Sequence, residues 1–202
     1  MALRPWPVTL ACGDVGLRPL RQTDVRRWRE VRRRNAEWLR PWEATLPMEG
    51  LTTGDVIPTF AMMVRRLRRE AREGRMLPWA LTYQGDLVGQ VTVGGITWGS
   101  LRSAYIGYWI DQDVAGRGIT PTGVAMALDY CFEELKLHRI EINIRPENAA
   151  SLRVVDKLGL RLEGDRLAYL HIDGEWRDHL VFVAMAGEFP EGLTPRVARM
   201  PD

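Results

Sequence analysis

The chain has 202 residues, 46% hydrophobic and 27% charged, with a formal net charge of +2. That suits one globular domain. No apolar run reaches the roughly 18 residues of a membrane span, and the start, Met1-Ala-Leu-Arg-Pro, lacks a secretory apolar region, so a cytoplasmic location is expected. Two cysteines, Cys12 and Cys131, exclude a disulfide framework, and neither they nor His138, His171 and His179 show metal-ligand spacing.

From the N-terminus, Val15–Leu20 reads as a first strand. Thr23 or Asp24 caps a helix whose apolar side is Val25, Trp28 and Val31. Asn35–Trp42 follows, with Pro41 ending regular helix. Residues 43–56 are loop-like, and Pro58 suits a first helical position. The next helix carries Phe60, Met63, Val64 and Leu67 on one stripe and closes at Gly74. Trp79–Tyr83, Leu87–Trp98 and Ala104–Ile110 read as strands, the second bent by its glycines. A glycine turn then leads into a long helix, Pro121 to about Leu137, with the stripe Val124, Leu128, Cys131 and Leu135. Arg139–Arg145 alternates, with Ile140, Ile142 and Ile144 on one side and Arg139, Glu141 and Asn143 on the other. Asn148 caps a helix over Ala149–Leu158 that stops at Gly159. Tyr169–Asp173 and His179–Met185 form a hairpin around Gly174, and residues 188–202 form a loosely held tail. The order β-α-α-β-β-β-α-β-α-β-β describes one mixed α/β domain and not a doubly wound sheet.

The charge is uneven. The basic residues are 26 Arg and 2 Lys, with eight arginines from Arg21 to Arg40 and a second cluster from Arg65 to Arg75. Solvated helix faces explain them first; attraction to a ribonucleoprotein or a phosphorylated ligand is the functional alternative. A direct nucleic-acid role is not expected, because the clusters lack interleaved aromatics and the net charge is small.

The stretch Ile106-Gly-Tyr-Trp109-Ile110-Asp-Gln-Asp-Val-Ala-Gly116-Arg117-Gly118-Ile119-Thr120-Pro121 sets a strand, a tight glycine turn and a helix start in succession. Unpaired N–H groups at such a start hold phosphate. The third glycine of a dinucleotide fingerprint is missing, as is the Gly-Lys-Ser/Thr of a P-loop, which leaves coenzyme A as the phosphate ligand suited to this topology.

At these residues the chain resembles the GNAT N-acetyltransferases, and within them the RimJ/RimL type, which acetylates N-terminal alanines of ribosomal proteins. The resemblance covers about residues 8–187. It rests on Asp113-x-x-Gly116-x-Gly118, where the family has Gln or Arg first; on Asn148-x-x-Ser151; and on Asn35-x-x-Trp38-Leu39-x-Pro41-Trp42. His138–Glu141 and Tyr169–His179 also fit. The resemblance implies a mostly antiparallel twisted sheet with helices on both faces and a V-shaped splay between two parallel strands. It also implies acetyl-CoA as acyl donor, with no metal. The acyl arm would pair near Trp109 and Ile110, and the pyrophosphate would sit on Gly116, Arg117, Gly118, Ile119 and Thr120. Asn148 and Ser151 would hold the arm and thiol, with Ser151 as proton donor; helix-start hydrogen bonding is its bland alternative.

Acyl transfer requires a neutral amine, a stabilised oxyanion and a protonated or solvated thiolate. Glu141 is the first candidate base, acting through water, or else a salt-bridge partner of Arg139 or Arg145. Asp178 and His179 follow, His179 only if it points inward, and His171 could face either side. Tyr169 is an alternative proton donor. Trp38 and Trp42, with Asp178, would bound the acceptor pocket, unless the tryptophans are core aromatics. The expected acceptor is a protein N-terminal α-amine, possibly ribosomal, used by a monomer or homodimer. The alternatives are a small amine such as an aminoglycoside or polyamine, and a non-enzymatic CoA- or ribosome-binding accessory protein.

Overall fold

Alternation of side chains builds the sheet. In the strand Leu77–Tyr83, Leu77, Trp79 and Leu81 join one apolar layer while Ala80 joins another on the opposite face. Seven more strands surround it in a computed structural model that describes residues 6–47 and 59–199. In chain order they are β1 (Leu10–Cys12), β2 (Val15–Pro19), β3 (Leu77–Tyr83), β4 (Asp86–Thr97), β5 (Ser103–Ile110), β6 (Arg139–Ile144), β7 (Arg161–Ile172) and β8 (Glu175–Met185). The helices are α1 (Val25–Arg34), α2 (Ala36–Leu39), α3 (Phe60–Arg72), α4 (Ile119–Glu133), α5 (Ala149–Leu158) and α6 (Thr194–Ala198). The sheet order is β1-β2-β3-β4-β5-β6-β8-β7, and the β5–β6 pair is parallel while its other neighbours are antiparallel.

Both faces are covered. Leu17, Trp79, Leu81, Val91, Ile106 and Ile140 pack under α4 and α5; Leu20, Ala80 and Leu87 pack under Val25 and Trp28 of α1 and Phe60, Val64 and Leu67 of α3. The mixed fold expected from the sequence is therefore observed. Central α4 is buried nearly all round, from Ile119 through Leu128 to Cys131, so its expected four-residue stripe understates its contacts. It also starts two residues before Pro121.

Three expectations change. A three-residue strand, β1, precedes the expected first one and pairs with β2, too short to show a period. The last hairpin is much longer than expected, since β7 begins at Arg161 and lies at the sheet edge with register shifts at Leu162/Gly164 and Arg166/Leu170. The tail expected to be loosely held is docked over its described part, residues 188–199: Leu193 and Val197 are buried, and Asp129 of α4 accepts from the N–H groups of Leu193 (2.7 Å) and Thr194 (2.8 Å) at the start of α6. The expected helix start at Pro58 lies outside the described residues. Among the described residues, no helix is long and apolar enough to cross a membrane.

The feature that positions a site is the parallel pair. β5 and β6 are in register at Ser103–Arg139, Ala104–Ile140 and Tyr105–Glu141. Beyond Tyr105, β5 stays with β4 as far as Gly89–Ile110, and β6 stays with β8 as far as Ile144–Leu180. The two strands thus part and leave a V-shaped notch.

Candidate functional site

The notch exposes one edge of β5. The Asp111 N–H donates to the Val88 carbonyl at 2.7 Å, which makes Gly89–Ile110 a non-hydrogen-bonded pair of the antiparallel ladder. By the same alternation, the backbone groups of Tyr108 and Ile110 point away from β4, into the notch. Gly89 is required opposite them, because a Cβ there would collide with the Trp109 carbonyl oxygen.

A cleft of about 1150 Å³ fills the notch and runs past it at both ends. At one end, the turn after β5 brings Gly118 to the start of α4 at φ +71°, a conformation that disfavours any side chain. No side chain caps that helix. The N–H groups of Gly118, Ile119 and Thr120 therefore remain as donors facing the cleft. Arg117 is exposed and outside the cleft lining; its guanidinium donates to the Asp113 carbonyl at 3.3 Å.

A second helix start faces the first. Asn148 caps α5, its Oδ1 accepting from the Ser151 N–H at 3.0 Å. The Tyr108 hydroxyl donates to the Ser151 carbonyl at 3.4 Å and so ties β5 to α5 across the notch. Burial pushes the Tyr108 phenol well above its ordinary pKa, so it keeps its proton. Gly116, Gly118, Ile119, Thr120, Trp109, Ile110, Asn148 and Ser151 all line this one cleft.

The other end is walled by Trp38, Leu39, Trp42 and Glu43. Asn35 explains why this segment sits there. Its side chain donates to the Val31 carbonyl and to Asp111 Oδ1, both at 2.8 Å, and its Oδ1 accepts from the Gln112 N–H at 2.9 Å. Arg34 adds a two-pronged ion pair to the same carboxylate, with Nε donating at 3.1 Å. Asp111 is 1% exposed, and burial alone would raise its pKa. Hydrogen bonds from Arg34 and Asn35 outweigh that and hold it below the usual carboxylate range. The network fastens the α1–α2 junction to the loop that leads into α4.

Arg32 and Glu43 form a second paired group, with Nη2 donating to Oε2 at 2.7 Å. The same guanidinium lies over the rings of Trp109 (5.3 Å) and Trp28 (5.6 Å). Trp42 is fixed from the far side by Arg145, which stacks on it at 5.4 Å and donates to the Pro41 carbonyl at 2.7 Å. Glu43 and Glu147 are the carboxylates that line the cleft among the described residues.

Other residues singled out from the sequence lie elsewhere. Glu141 sits at the apex of the splay on the polar side of β6, but its carboxylate is shared by Arg139 (3.0 Å) and Arg166 (2.7 Å), and it does not line the cleft. Tyr169 packs edge-on to His179 at 5.6 Å with Arg166 over its face. Asp178 accepts from the Ala168 N–H at 2.7 Å and so secures the β7 irregularity. His171 contacts Thr45 Oγ1 at 2.7 Å. His179 does point inward; burial lowers its pKa, which keeps it neutral at pH 7, and its Nδ1 donates to the Arg177 carbonyl at 3.0 Å. Conversely, sequence reasoning missed Tyr108, the Arg34–Asn35–Asp111 network and the Arg32–Glu43 pair. Asp111 immediately after a strand end carried a signal; the Arg32–Glu43 contact spans a helix junction and carried none. Among the described residues, no group of three or more His, Cys, Asp or Glu side chains is placed to hold a metal ion.

Comparison with known proteins agrees with this geometry. Residues 14–161 match the family described as acetyltransferase (GNAT) domain. The structure of Mycobacterium smegmatis RimJ in complex with CoA-disulfide is 42% identical with a TM-score of 0.86, over 95% of this chain and 94% of that one. A ribosomal-protein-S5-alanine acetyltransferase from Vibrio fischeri shares the fold at 23% identity, with a TM-score of 0.77 over 90% of this chain and 98% of that one. The probable N-acetyltransferase YjcK of Bacillus subtilis is 41% identical over 99 residues, 49% of this chain and 55% of that protein. The [ribosomal protein uS5]-alanine N-acetyltransferase of Escherichia coli is 31% identical over 107 residues, 53% of this chain and 55% of that protein. The chain spans about half the length of these curated relatives. It belongs to the GNAT acetyltransferase family.

Proposed function

We propose that this member of the GNAT family transfers the acetyl group of acetyl-CoA to the α-amine of a protein N-terminus, with an alanine-starting ribosomal protein as first candidate. One observation carries the reading. A single cleft joins uncapped helix N–H groups and a free strand edge at one end to a tryptophan-walled mouth bearing a carboxylate at the other. The RimJ and ribosomal-protein acetyltransferase relatives support the choice of acceptor.

The residues present fit acetyl-CoA as donor. The N–H groups of Gly118, Ile119 and Thr120 suit a pyrophosphate, and the edge groups of Tyr108 and Ile110 suit the amides of its arm. Bound acetyl-CoA supplies a thioester carbonyl. Attack by the amine forms the C–N bond and breaks the C–S bond; one proton leaves nitrogen and one reaches sulfur. An α-amine of pKa about 8 is roughly one-tenth neutral at pH 7, so positioning outweighs basicity. Glu43 holds the incoming ammonium, competing with Arg32 for it, and passes its proton to water. Ser151 donates toward the leaving sulfur, from a helix start that the Tyr108 phenol ties to β5 through the Ser151 carbonyl. Glu141 is fully engaged by arginines and stabilises the splay instead.

The test is acetylation of a panel containing Ala- and Ser-starting ribosomal N-terminal peptides, a Lys peptide, spermidine and an aminoglycoside, read by thiol release and product mass. α-Amine acetylation of the Ala peptide is expected. Turnover on the small amines alone overturns the acceptor assignment, and CoA binding without turnover on any amine overturns the enzymatic one. In Glu43→Gln, KM for the peptide should rise about tenfold, as loss of one charge-assisted contact implies, with KM for acetyl-CoA unchanged.

A further inference from the structure

The formal charge of +2 conceals a separation. Helices α1 and α3 together hold eleven of the 28 basic residues against two of the 26 acidic ones, a formal +9; the rest of the chain has 17 basic and 24 acidic side chains, a formal −7. The fold sets these two helices on the same sheet face. Their apolar stripes share one layer there, and Trp28 of α1 meets Phe60 of α3 at 5.3 Å between ring centroids. With those stripes turned inward, a subset of the arginines turns outward, while Arg27, Arg32, Arg34 and Arg68 bond within the fold. Arg26, Arg29 and Arg33 on α1, and Arg65, Arg66 and Arg72 on α3, are exposed and pair with no acid among the described residues.

We infer that this face docks an RNA phosphate backbone beside the acceptor mouth. The face is charged and apolar-poor: of the exposed large hydrophobic side chains, Met62 lies on these two helices, whereas Trp176, Leu167 and Leu162 lie on the β7–β8 hairpin. Protein interfaces are anchored by buried aromatic or aliphatic groups, and lipid surfaces take inserted apolar ones. A regular run of phosphates requires neither and is bound by arginine density alone. The absence of interleaved aromatics therefore excludes base stacking, not backbone binding. Position adds direction. Arg32 and Arg33, in the last turn of α1, line a recess with Glu43 that adjoins the cleft mouth. A substrate N-terminus held on a ribonucleoprotein would then be presented to the cleft while the surrounding RNA engages α1 and α3.

The experiment measures binding of the full chain to a fluorescently labelled RNA duplex by anisotropy across salt, without acetyl-CoA. With five or six phosphate contacts, affinity should fall roughly a thousandfold between about 50 and 200 mM salt. In Arg26→Gln/Arg29→Gln the log–log salt slope should shrink by about 2, and in Arg65→Gln/Arg66→Gln/Arg72→Gln by about 3, each weakening binding tenfold or more near 100 mM salt. Peptide acetylation by both variants should match the parent, which separates failure of docking from failure of catalysis. Unchanged RNA binding in both variants overturns the inference. So does absence of RNA binding by the parent, or competition by poly-glutamate or anionic vesicles as strong as that by RNA.

Discussion

The two ends of the cleft are built on opposite principles. The donor end is backbone: the N–H groups at the start of α4, the free edge of β5, and a second helix start at Asn148. The end proposed for the acceptor is side chain: Trp38, Trp42, Glu43 and Arg32, brought together from α1, α2 and the segment after them, and braced by Arg145 just past β6. Backbone recognition depends on where the chain goes and little on which residues compose it. Side-chain recognition depends on identities that can change while the fold persists. A cleft built this way can keep one donor while its amine specificity changes.

The comparison can be broken at the joint between the ends. In Asp111→Ala a buried acceptor of bonds from Arg34, Asn35 and the loop backbone is lost, and stability should drop by about 3 kcal/mol in denaturant titration. Peptide KM and acetyl-CoA KM should rise together; a rise in one alone would mean that the ends are not jointly fastened. The same carboxylate predicts a pH effect. Its folded pKa is depressed, so its stabilisation is complete above the ordinary carboxylate value near 4 and is lost as pH falls below it. The denaturant midpoint of Asp111→Asn should therefore fall less steeply below pH 4 than the parent's.

Gly118→Val tests the backbone end alone. A branched side chain at φ +71° costs about 2 kcal/mol; if the turn relaxes and must be restored on binding, CoA affinity should weaken by up to about thirtyfold by calorimetry, with peptide KM little changed. Normal CoA binding would remove the α4 start from the site. Ser151→Ala should lower kcat roughly tenfold, and Tyr108→Phe less, with the Ser151 deficit growing for acyl donors with more basic thiol leaving groups. The smallest effect belongs to Glu141→Gln, whose kcat/KM should stay within about twofold. A large loss there would return Glu141 to the chemistry and displace Glu43.

What the sequence made legible follows the same division. The glycine turn before α4 and Asn148-x-x-Ser151 are local patterns in which neighbouring residues fix the conformation, and both came to line the cleft, Arg117 excepted. So did Trp38 and Trp42, through a motif whose Asn35 and Pro41 have local roles. Alternation sets Glu141 on the polar side of β6, but alternation gives a face and no partner; Arg166, twenty-five residues on, neutralises it. Asp178 and Tyr169 were drawn to the site by a hairpin whose irregularity at Ala168 was invisible in the pattern. The Arg32–Glu43 pair depends on how two helices meet, which periodicity does not encode. The docked α6 was missed because its anchor, Asp129, lies on a distant helix.

The edge strand β7 carries a last consequence. A twelve-residue strand at a sheet margin would ordinarily invite another extended chain to add on, as substrate or as aggregate. Its far end is already covered: Ala44 bridges Ile172, and the Thr45 N–H donates to the His171 carbonyl at 2.8 Å. Two breaks in register and four charged side chains, Arg161, Glu163, Asp165 and Arg166, interrupt that row of donors and acceptors. Strand addition is closed off there. Under the proposed function, an acceptor polypeptide would be read by its tip at the mouth walled by Trp38 and Trp42, and chain ends should be acetylated in preference to internal lysines.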